Sequence, residues 1–385
     1  MTSLLDPYIP LLEYLVVWFA VIGIALLLKA DKHGVIAKPY YLMLKTSAFN
    51  TLLEKIGGRF RRGWTVFFDI GAGLGIVFLA FVLYEISYNA INLFHRSSQA
   101  GPTLLIVPLP GVTLTWDVFP YVLLAIAVLL IPHEAAHGIA SVLDKVPIKS
   151  SGVFMAIFLP GGFVEIDEED LSKRKAITKM RVFAAGSFTN VTTFGLVLLL
   201  SFALFQSSSA GVLITGFTSG SPAAAAHLPQ WSVITGLNGT SVTEFQDVST
   251  FMSKVDPGSL VQVRLNDGQL FNITTGKSDT NSSRAILGIY SQNFVPLRYD
   301  FLPNQSEYQL ARAFFWLQLI LLNVALINML PMFPFDGDRY FDTLLGVLGV
   351  KNTRPVRTIA SVVSLGLLLS NLVLSLILFG TVFPR

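Results

Sequence analysis

The stretch Leu129–Lys145, "LLIPHEAAHGIASVLDK", decides how the rest of the chain is read. It runs out of a long apolar segment, yet it carries His133, Glu134 and His137. Ionisable groups at membrane depth cost several kcal/mol unless they are paired or bind a metal, so they mark function. The pattern His-Glu-x-x-His sets two imidazoles four residues apart, on one face of a helix. Two such rings can share one Zn²⁺. Glu134 beside them could take a proton from a water and return it to a leaving amine. Zinc lowers the pKa of a bound water to ~7, which makes that proton transfer easy. A polar cluster satisfied by neighbouring helices is the alternative.

The surroundings are those of a membrane protein. Of 385 residues, 52% are hydrophobic and 13% charged, where a soluble domain carries about 25% charged residues. Several apolar runs reach the ~20 residues that cross a bilayer. Six spans are expected, near 11–28, 66–88, 119–142, 181–205, 310–333 and 357–380. There is no cysteine, which excludes disulfides and thiolate metal sites and leaves His, Asp and Glu as ligands. The net charge of +3, with basic residues flanking apolar segments, reads as a topology signal and not as a nucleic-acid patch. No Lys or Arg precedes Lys29, so the first apolar run is expected to be a retained span and not a cleaved signal.

Loop charge sets the expected orientation. Lys29, Lys32, Lys38, Lys45, Lys55, Arg59, Arg61 and Arg62 lie between spans one and two, but only Arg96 lies between two and three. The positive-inside rule then puts both termini and the region 206–309 outside. Four Asn-x-Ser/Thr sequons in that region, at Asn238, Asn272, Asn281 and Asn304, suit an exported face or arise by chance. On this orientation His133 lies ~21 Å along its helix from Phe119. That places it about 10 Å below the inner face of a ~30 Å core. Pro132 removes one helix hydrogen bond, which either admits water or bends the helix.

Short β-branched runs bounded by Gly, Asn and Asp occupy about 211–293 and predict a small inserted domain of strands with one or two helices. Asn266–Gly268 ("NDG") is a hairpin-turn signal. Phe245, Val248, Phe251 and Met252 give a short amphipathic helix. The stretch "VLITGFTSGSPAAAAHLPQWSVITGLNGTSV" resembles the middle of a PDZ domain, with Trp231-Ser232 in place of the usual Gly-Asp. Such domains bind extended peptides by strand addition; a spacer shielding the membrane core is the alternative. The expected layout is 1–118 with two spans, 119–205 as the first part of a catalytic core, 206–300 as the PDZ-like domain outside the membrane, 301–340 as the second part of the core, and 341–385 with the last span.

A catalytic zinc needs a third protein ligand and an open position. His33, His95 and His227 lie outside the spans. In "LINMLPMFPFDGDRY", Pro331 and Pro334 break the fifth span near the depth of His133, and Asp336 follows. Asp338 is a competitor, but it is closer to the basic loop and to Arg339, so its expected role is a surface ion pair. "DIGAGLGIVF", at Asp69–Phe78, has dinucleotide-loop glycine spacing but no preceding strand; Gly71 and Gly75 read better as a small-xxx-small helix-packing pair.

Together these residues resemble the site-2 protease family of intramembrane zinc metalloproteases. The family's HExxH stands here as His133, Glu134 and His137. Its Asn-x-x-Pro-x-x-Pro-x-Asp-Gly stands as Asn328, Pro331, Pro334, Asp336 and Gly337, and its Gly-x-x-x-Asn as Gly186 and Asn190. The resemblance covers about 119–340. It implies one Zn²⁺ per chain on His133, His137 and Asp336, with Glu134 as catalytic base. It gives Asn190 an oxyanion role, or an interhelical hydrogen bond, and Asn328 a hold on substrate backbone, or a helix cap. In the family, the region of "SSGVFMAIFLPGGFVEID" forms a membrane-dipping hairpin that presents an edge strand to substrate; Gly161 and Gly162 would allow close approach there or simply make a turn. The implied function is hydrolysis within transmembrane segments of other membrane proteins, in the cell membrane, with the active site toward the cytoplasmic side. A non-catalytic zinc-binding chaperone or scaffold and a metal-ion transporter are the readings from other classes.

Overall fold

A computed structural model describes residues 9–157, 159–278, 282–299 and 301–380. The chain divides into two units, one of residues 1–195 with 316–385 and one of residues 196–315.

Among the described residues, six helices are long and apolar enough to cross a membrane: α1 (Ile9–Leu27), α3 (Arg61–Phe94), α4 (Phe119–Leu143), α6 (Ala176–Leu204), α9 (Asn304–Ile327) and α11 (Arg354–Phe379). Shorter helices α2 (Ala48–Arg59), α5 (Glu168–Ser172) and α10 (Asp336–Val347) lie between them. α4 runs on through Pro132, so that proline does not break it. α9 ends at Ile327, earlier than the expected 333, and the chain resumes as helix at Asp336. Between them Pro331 and Pro334 cannot donate the hydrogen bonds a helix needs. α10 itself was not expected, since its stretch falls between the fifth and sixth expected spans.

The helical unit also holds a sheet. β1 (Val35–Lys38), β2 (Tyr41–Thr46), β3 (Ile148–Ala156) and β4 (Leu159–Ile166) pair antiparallel in that order. Expectation named only the β3–β4 region. β1, β2 and α2 lie in the segment read from its charges as a basic loop. β2 docks so closely on β3 that a Cβ on Gly152 would fall 2.0 Å from the Leu44 carbonyl oxygen. Lys45 and Ser150 both bond the Glu165 carboxylate, at 2.7 and 2.5 Å, and hold it below the usual carboxylate range. α2 packs on α4, where a Cβ on Gly138 would meet Leu53 at 2.5 Å, and on β3, where Asn50 Oδ1 accepts from the Ser151 hydroxyl at 2.8 Å.

Gly71 and Gly75 do share a face of α3, but they admit rings. A Cβ on Gly71 would meet the Phe188 ring of α6 at 2.7 Å, and one on Gly75 the Tyr340 ring of α10 at 2.7 Å. Tyr340 is fully buried and its hydroxyl donates to the Ala72 carbonyl at 2.5 Å. Both glycines thus sit at helix-packing contacts, and an aromatic side chain of the neighbouring helix fills the space beside each. At the other end of α3, Asn371 of α11 donates to the Ile86 carbonyl at 2.8 Å and accepts from Asn89 at 2.9 Å.

The second unit contains β5 (Val212–Phe217), β6 (Val233–Leu237), β7 (Thr240–Ser241), β8 (Leu260–Leu265), β9 (Leu270–Thr274), β10 (Gly276–Lys277), β11 (Ala285–Ile286) and β12 (Ile289–Asn293), with helices α7 (Pro222–Ala225) and α8 (Phe245–Met252). The main sheet runs β12-β5-β6-β8-β9, β7 pairs with β6, and β10 pairs with β11. The "NDG" turn joins β8 to β9, with Gly268 at φ +85°. α7 starts where the Ser221 side chain accepts from the Ala224 amide. In α8, Val248 and Met252 are buried as expected, while Phe245 stays exposed. The sequon at Asn281 lies outside the described residues.

Candidate metal centre

Three elements far apart in sequence converge in the helical unit. α4 brings His133 and His137, four residues and about one turn apart. The first residue of α10 is Asp336. α6 lies behind them with Val182, Gly186 and Asn190 spaced by four, so all three face the same way.

His133 and His137 are buried, and their Nε2 atoms stand 3.2 Å apart. Asp336 Oδ2 lies 3.4 Å from the first and 3.1 Å from the second. All three ligand atoms fall within 4.8 Å of one another. Four-coordinate zinc with bonds of about 2.0–2.1 Å sets neighbouring ligands ~3.3 Å apart. The observed separations match that edge length, so the donor set suits zinc in both type and spacing.

The groups behind the rings fix which nitrogen is free. His137 Nδ1 is 2.7 Å from the Val182 carbonyl, so it carries the proton and leaves Nε2 its lone pair. His133 Nδ1 is 2.9 Å from the Asn190 amide, whose Oδ1 is buried and unbonded when Nδ2 faces the ring. Turning that amide over places Oδ1 on the His133 Nδ1–H, the pairing that leaves His133 Nε2 unprotonated. Both imidazoles then aim an unprotonated Nε2 at Asp336. Such partners orient metal-binding histidines and raise their basicity. Gly186 is the space that makes this possible, since a Cβ there would fall 2.4 Å from the His133 ring and 2.5 Å from His137 Nε2.

Asp336 is placed by its neighbour. The Gly337 amide donates to the Asn328 carbonyl at 2.8 Å. A Cβ on Gly337 would fall 2.3 Å from the Met329 carbonyl, so only glycine lets α10 start this close to the end of α9. Asn328 therefore ties down the start of α10 through its backbone. Its side chain points to the cluster, with Nδ2 3.5 Å from His133 Nε2.

Asn190 meets His133 on Nδ1, the ring nitrogen turned away from the cluster. Asp338 does form an ion pair, but not on the surface. It is buried and pairs with Arg357 of α11 at 2.5 Å, while Arg339 pairs with Glu168 at 2.6 Å. Adjacent residues on a helix point about 100° apart, so Asp338 and Arg339 cannot face one another.

Glu134 lines a cavity of about 690 Å³ together with His133, His137, Asp336, Asn328, Gly161 and Gly162. Its Oε2 accepts from the Val164 amide of β4 at 3.1 Å. Gly161 and Gly162 are mid-strand residues paired with Phe154 and Val153, not turn residues. A Cβ on Gly161 would meet the Phe154 ring at 2.2 Å, and one on Gly162 would meet Glu134 Cγ at 2.8 Å. Sequence reasoning missed the roles of Gly186 and the Val164 amide. Glycine gives no chemical signal, and a main-chain group has no letter of its own.

The chain was compared with known proteins. Residues 121–371 match the model of peptidase family M50. An uncharacterized protein of Methanocaldococcus jannaschii is 23% identical over 261 residues, 66% of each chain. A membrane-bound transcription factor site-2 protease homolog of Arabidopsis thaliana is 26% identical over 235 residues, 57% of this chain and 45% of that one. The chain thus spans less than two thirds of the length of these relatives. The PDZ domains of SdrC-like proteins from Listeria monocytogenes and Listeria innocua align with 22% and 21% of this chain and 92% of each of theirs. Their identities are 18% and 19% and their TM-scores 0.20 and 0.19, too low to carry weight. The family match covers well over half of the chain and takes in every residue of the cluster, and the chain belongs to peptidase family M50, the site-2 protease family of membrane metalloproteases.

Proposed function

We propose that the protein is an intramembrane zinc endopeptidase that cuts peptide bonds in transmembrane segments of other membrane proteins. The observation that carries this reading is the cluster of two imidazole nitrogens and one carboxylate oxygen at 3.1–3.4 Å, on the wall of a cavity that Glu134 also lines. His133, His137 and Asp336 would hold one zinc ion. When bound, zinc would polarise the scissile carbonyl and acidify water toward a pKa of ~7.

The chain's own groups supply the rest. Glu134 takes the proton from the attacking water and delivers it to the leaving amine. Asn190 and the Val182 carbonyl hold the two rings in the tautomer that ligates. Our reading therefore gives Asn190 a positioning role in place of the oxyanion role expected for it. The Asn328 amide, on the open side beside His133 Nε2, is the better placed donor to substrate oxygen. Gly161 and Gly162 leave the cavity wall bare, so an extended substrate backbone can come close. An unwound segment needs partners for its freed amides, and the strand that lines the cavity offers them. The loop charges put the inserted domain outside the cell membrane and the metal centre toward the cytoplasm. By resemblance, the inserted domain screens substrates by size, and the substrates are membrane-tethered regulators.

The test uses protein purified in detergent and a single-span substrate. Wild type should carry about one zinc per chain and cleave. Glu134→Gln should keep the zinc and lose cleavage by ~10²-fold or more, the lower range of general-base contributions. Equal cleavage by both removes Glu134 as the base. Zinc uptake into vesicles without any peptide cleavage would make the protein a transporter.

A further inference from the structure

Glu134 is held by a group outside its own helix. A glutamate has three rotatable bonds, and on a helix next to a cavity nothing in its sequence fixes where the carboxylate points. Among the described residues its hydrogen bond comes from the Val164 main-chain N–H of β4, at 3.1 Å to Oε2. Hydrogen bonds to a charged acceptor are about twice as strong as neutral ones.

The strand is built for this contact. Val164 stands opposite Ser151 of β3, and Phe163 opposite Gly152. In an antiparallel ladder, residues alternate between those that bond the partner strand and those whose groups turn away. The Val164 amide turns away, toward α4, so its bond to Glu134 takes nothing from the β3–β4 ladder. Gly162, two residues earlier, points to the same side. A Cβ there would fall 2.8 Å from Glu134 Cγ, so glycine is what lets the glutamate stem lie along the strand. With Oε2 engaged, Oε1 is the oxygen left for the proton transferred in the reaction.

We propose that the Val164 main-chain N–H is a positioning group for the general base: it fixes the Glu134 carboxylate at the cavity wall, and Gly162 keeps the path clear. This rests on the reading of Glu134 as the base. It also implies that the β3–β4 hairpin acts in the chemical step through Glu134.

Val164→Pro removes this one donor. Proline is tolerated on an edge strand where the N–H faces away from the ladder. Val164→Ala trims the side chain and keeps the amide. Each is compared with wild type in zinc content and in KM and kcat on the single-span substrate. Val164→Pro should hold about one zinc per chain, keep KM within ~2-fold, and lose kcat by ~10-fold or more, part of the ~10²–10⁴ that a placed base contributes. Val164→Ala should keep kcat within ~2-fold. A zinc-loaded Val164→Pro with wild-type kcat overturns the proposal, as does a Val164→Ala as slow as Val164→Pro, which would assign the effect to packing. If Val164→Pro loses its zinc, Gly162→Ala decides. It keeps the amide but pushes Glu134 away, so it should lower kcat at constant zinc, and wild-type kcat there overturns the proposal. Glu134→Gln separates the two readings. If it still cleaves, the base assignment falls; if it is dead while Val164→Pro is normal, only the positioning role falls.

Discussion

Both units bury an apolar core, but they differ in the polar groups they bury beside it and in what they leave outside. In the inserted domain, Val212, Ile214, Ile234, Val261, Val263 and Ile273 pack into one apolar core. β8 shows the rule plainly, with Val261, Val263 and Leu265 inside and Leu260, Gln262 and Arg264 outside. In the helical unit the fully buried side chains include Ser141, Ser187, Asn190, Ser364 and Ser375. Large apolar residues such as Ile131, Ile359, Val362 and Ile377 lie on its surface. Hydrocarbon around a membrane protein is as apolar as leucine, so association of its helices rests on small residues, close packing and hydrogen bonds. Water around the inserted domain drives apolar groups inward. The difference teaches that burial has no fixed chemistry and depends on the solvent outside.

The contrast can be broken most directly by trimming the same side chain in each unit. Ile273 in β9 is 1% exposed and Ile359 in α11 is 64% exposed. Ile273→Ala should destabilise the inserted domain by ~2–4 kcal/mol, the range for deleting a buried aliphatic group. Ile359→Ala should stay within ~0.5 kcal/mol. Hydrogen exchange of the β8–β9 and α11 amides in the intact protein reads each locally. A cost at Ile359 as large as at Ile273 would mean that α11 buries that face against a partner.

A smaller effect tests the other half of the contrast at one buried polar group of the helical unit, the one that touches the cluster. Asn190 is fully buried against His133. Asn190→Leu keeps the volume and removes the acceptor. It should weaken zinc binding by ~10–100-fold, as loss of a ligand's supporting partner does. Competition with a chelator measures this without any turnover. Unchanged zinc affinity would leave Asn190 as helix packing alone.

The same contrast explains what the sequence could reveal. The six apolar runs were legible, with ends about six residues off at most, because hydropathy is a one-dimensional signal; the fifth helix stops early at Ile327, where the prolines follow. His133, His137 and Asp336 were legible because ionisable groups are costly at that depth. The inserted domain was legible from its alternation and turns. β1, β2 and α2 were not, because the basic residues of the segment that holds them dominated the reading and the strand that β2 pairs with, β3, is about a hundred residues away. α10 was missed because a helix of 12 residues with three charges at its start resembles a loop. Gly186 stood in the Gly-x-x-x-Asn pattern, but its role is an absent Cβ that no residue type announces, and the Val164 amide is a main-chain group with no pattern to detect.

The smallest expected effect lies at the start of α8, where stability comes from a cap and not from burial. The Asp247 carboxylate accepts from the Thr243 amide and hydroxyl, both at 2.8 Å, and from the Glu244 amide at 3.1 Å. These bonds, the Thr243 amide first, hold its carboxyl below the usual range. A carboxyl lowered on folding stabilises the fold above its unfolded pKa and loses that contribution as pH falls through the folded value. At pH 7 the Asp247→Asn variant should therefore exchange its α8 amides faster than wild type, after correction for intrinsic rates, while β8 stays unchanged. As pH drops through the acid range wild type should approach the variant. Equal α8 protection in both at pH 7 would show that Val248 and Met252, packed on the core, hold this helix without its cap.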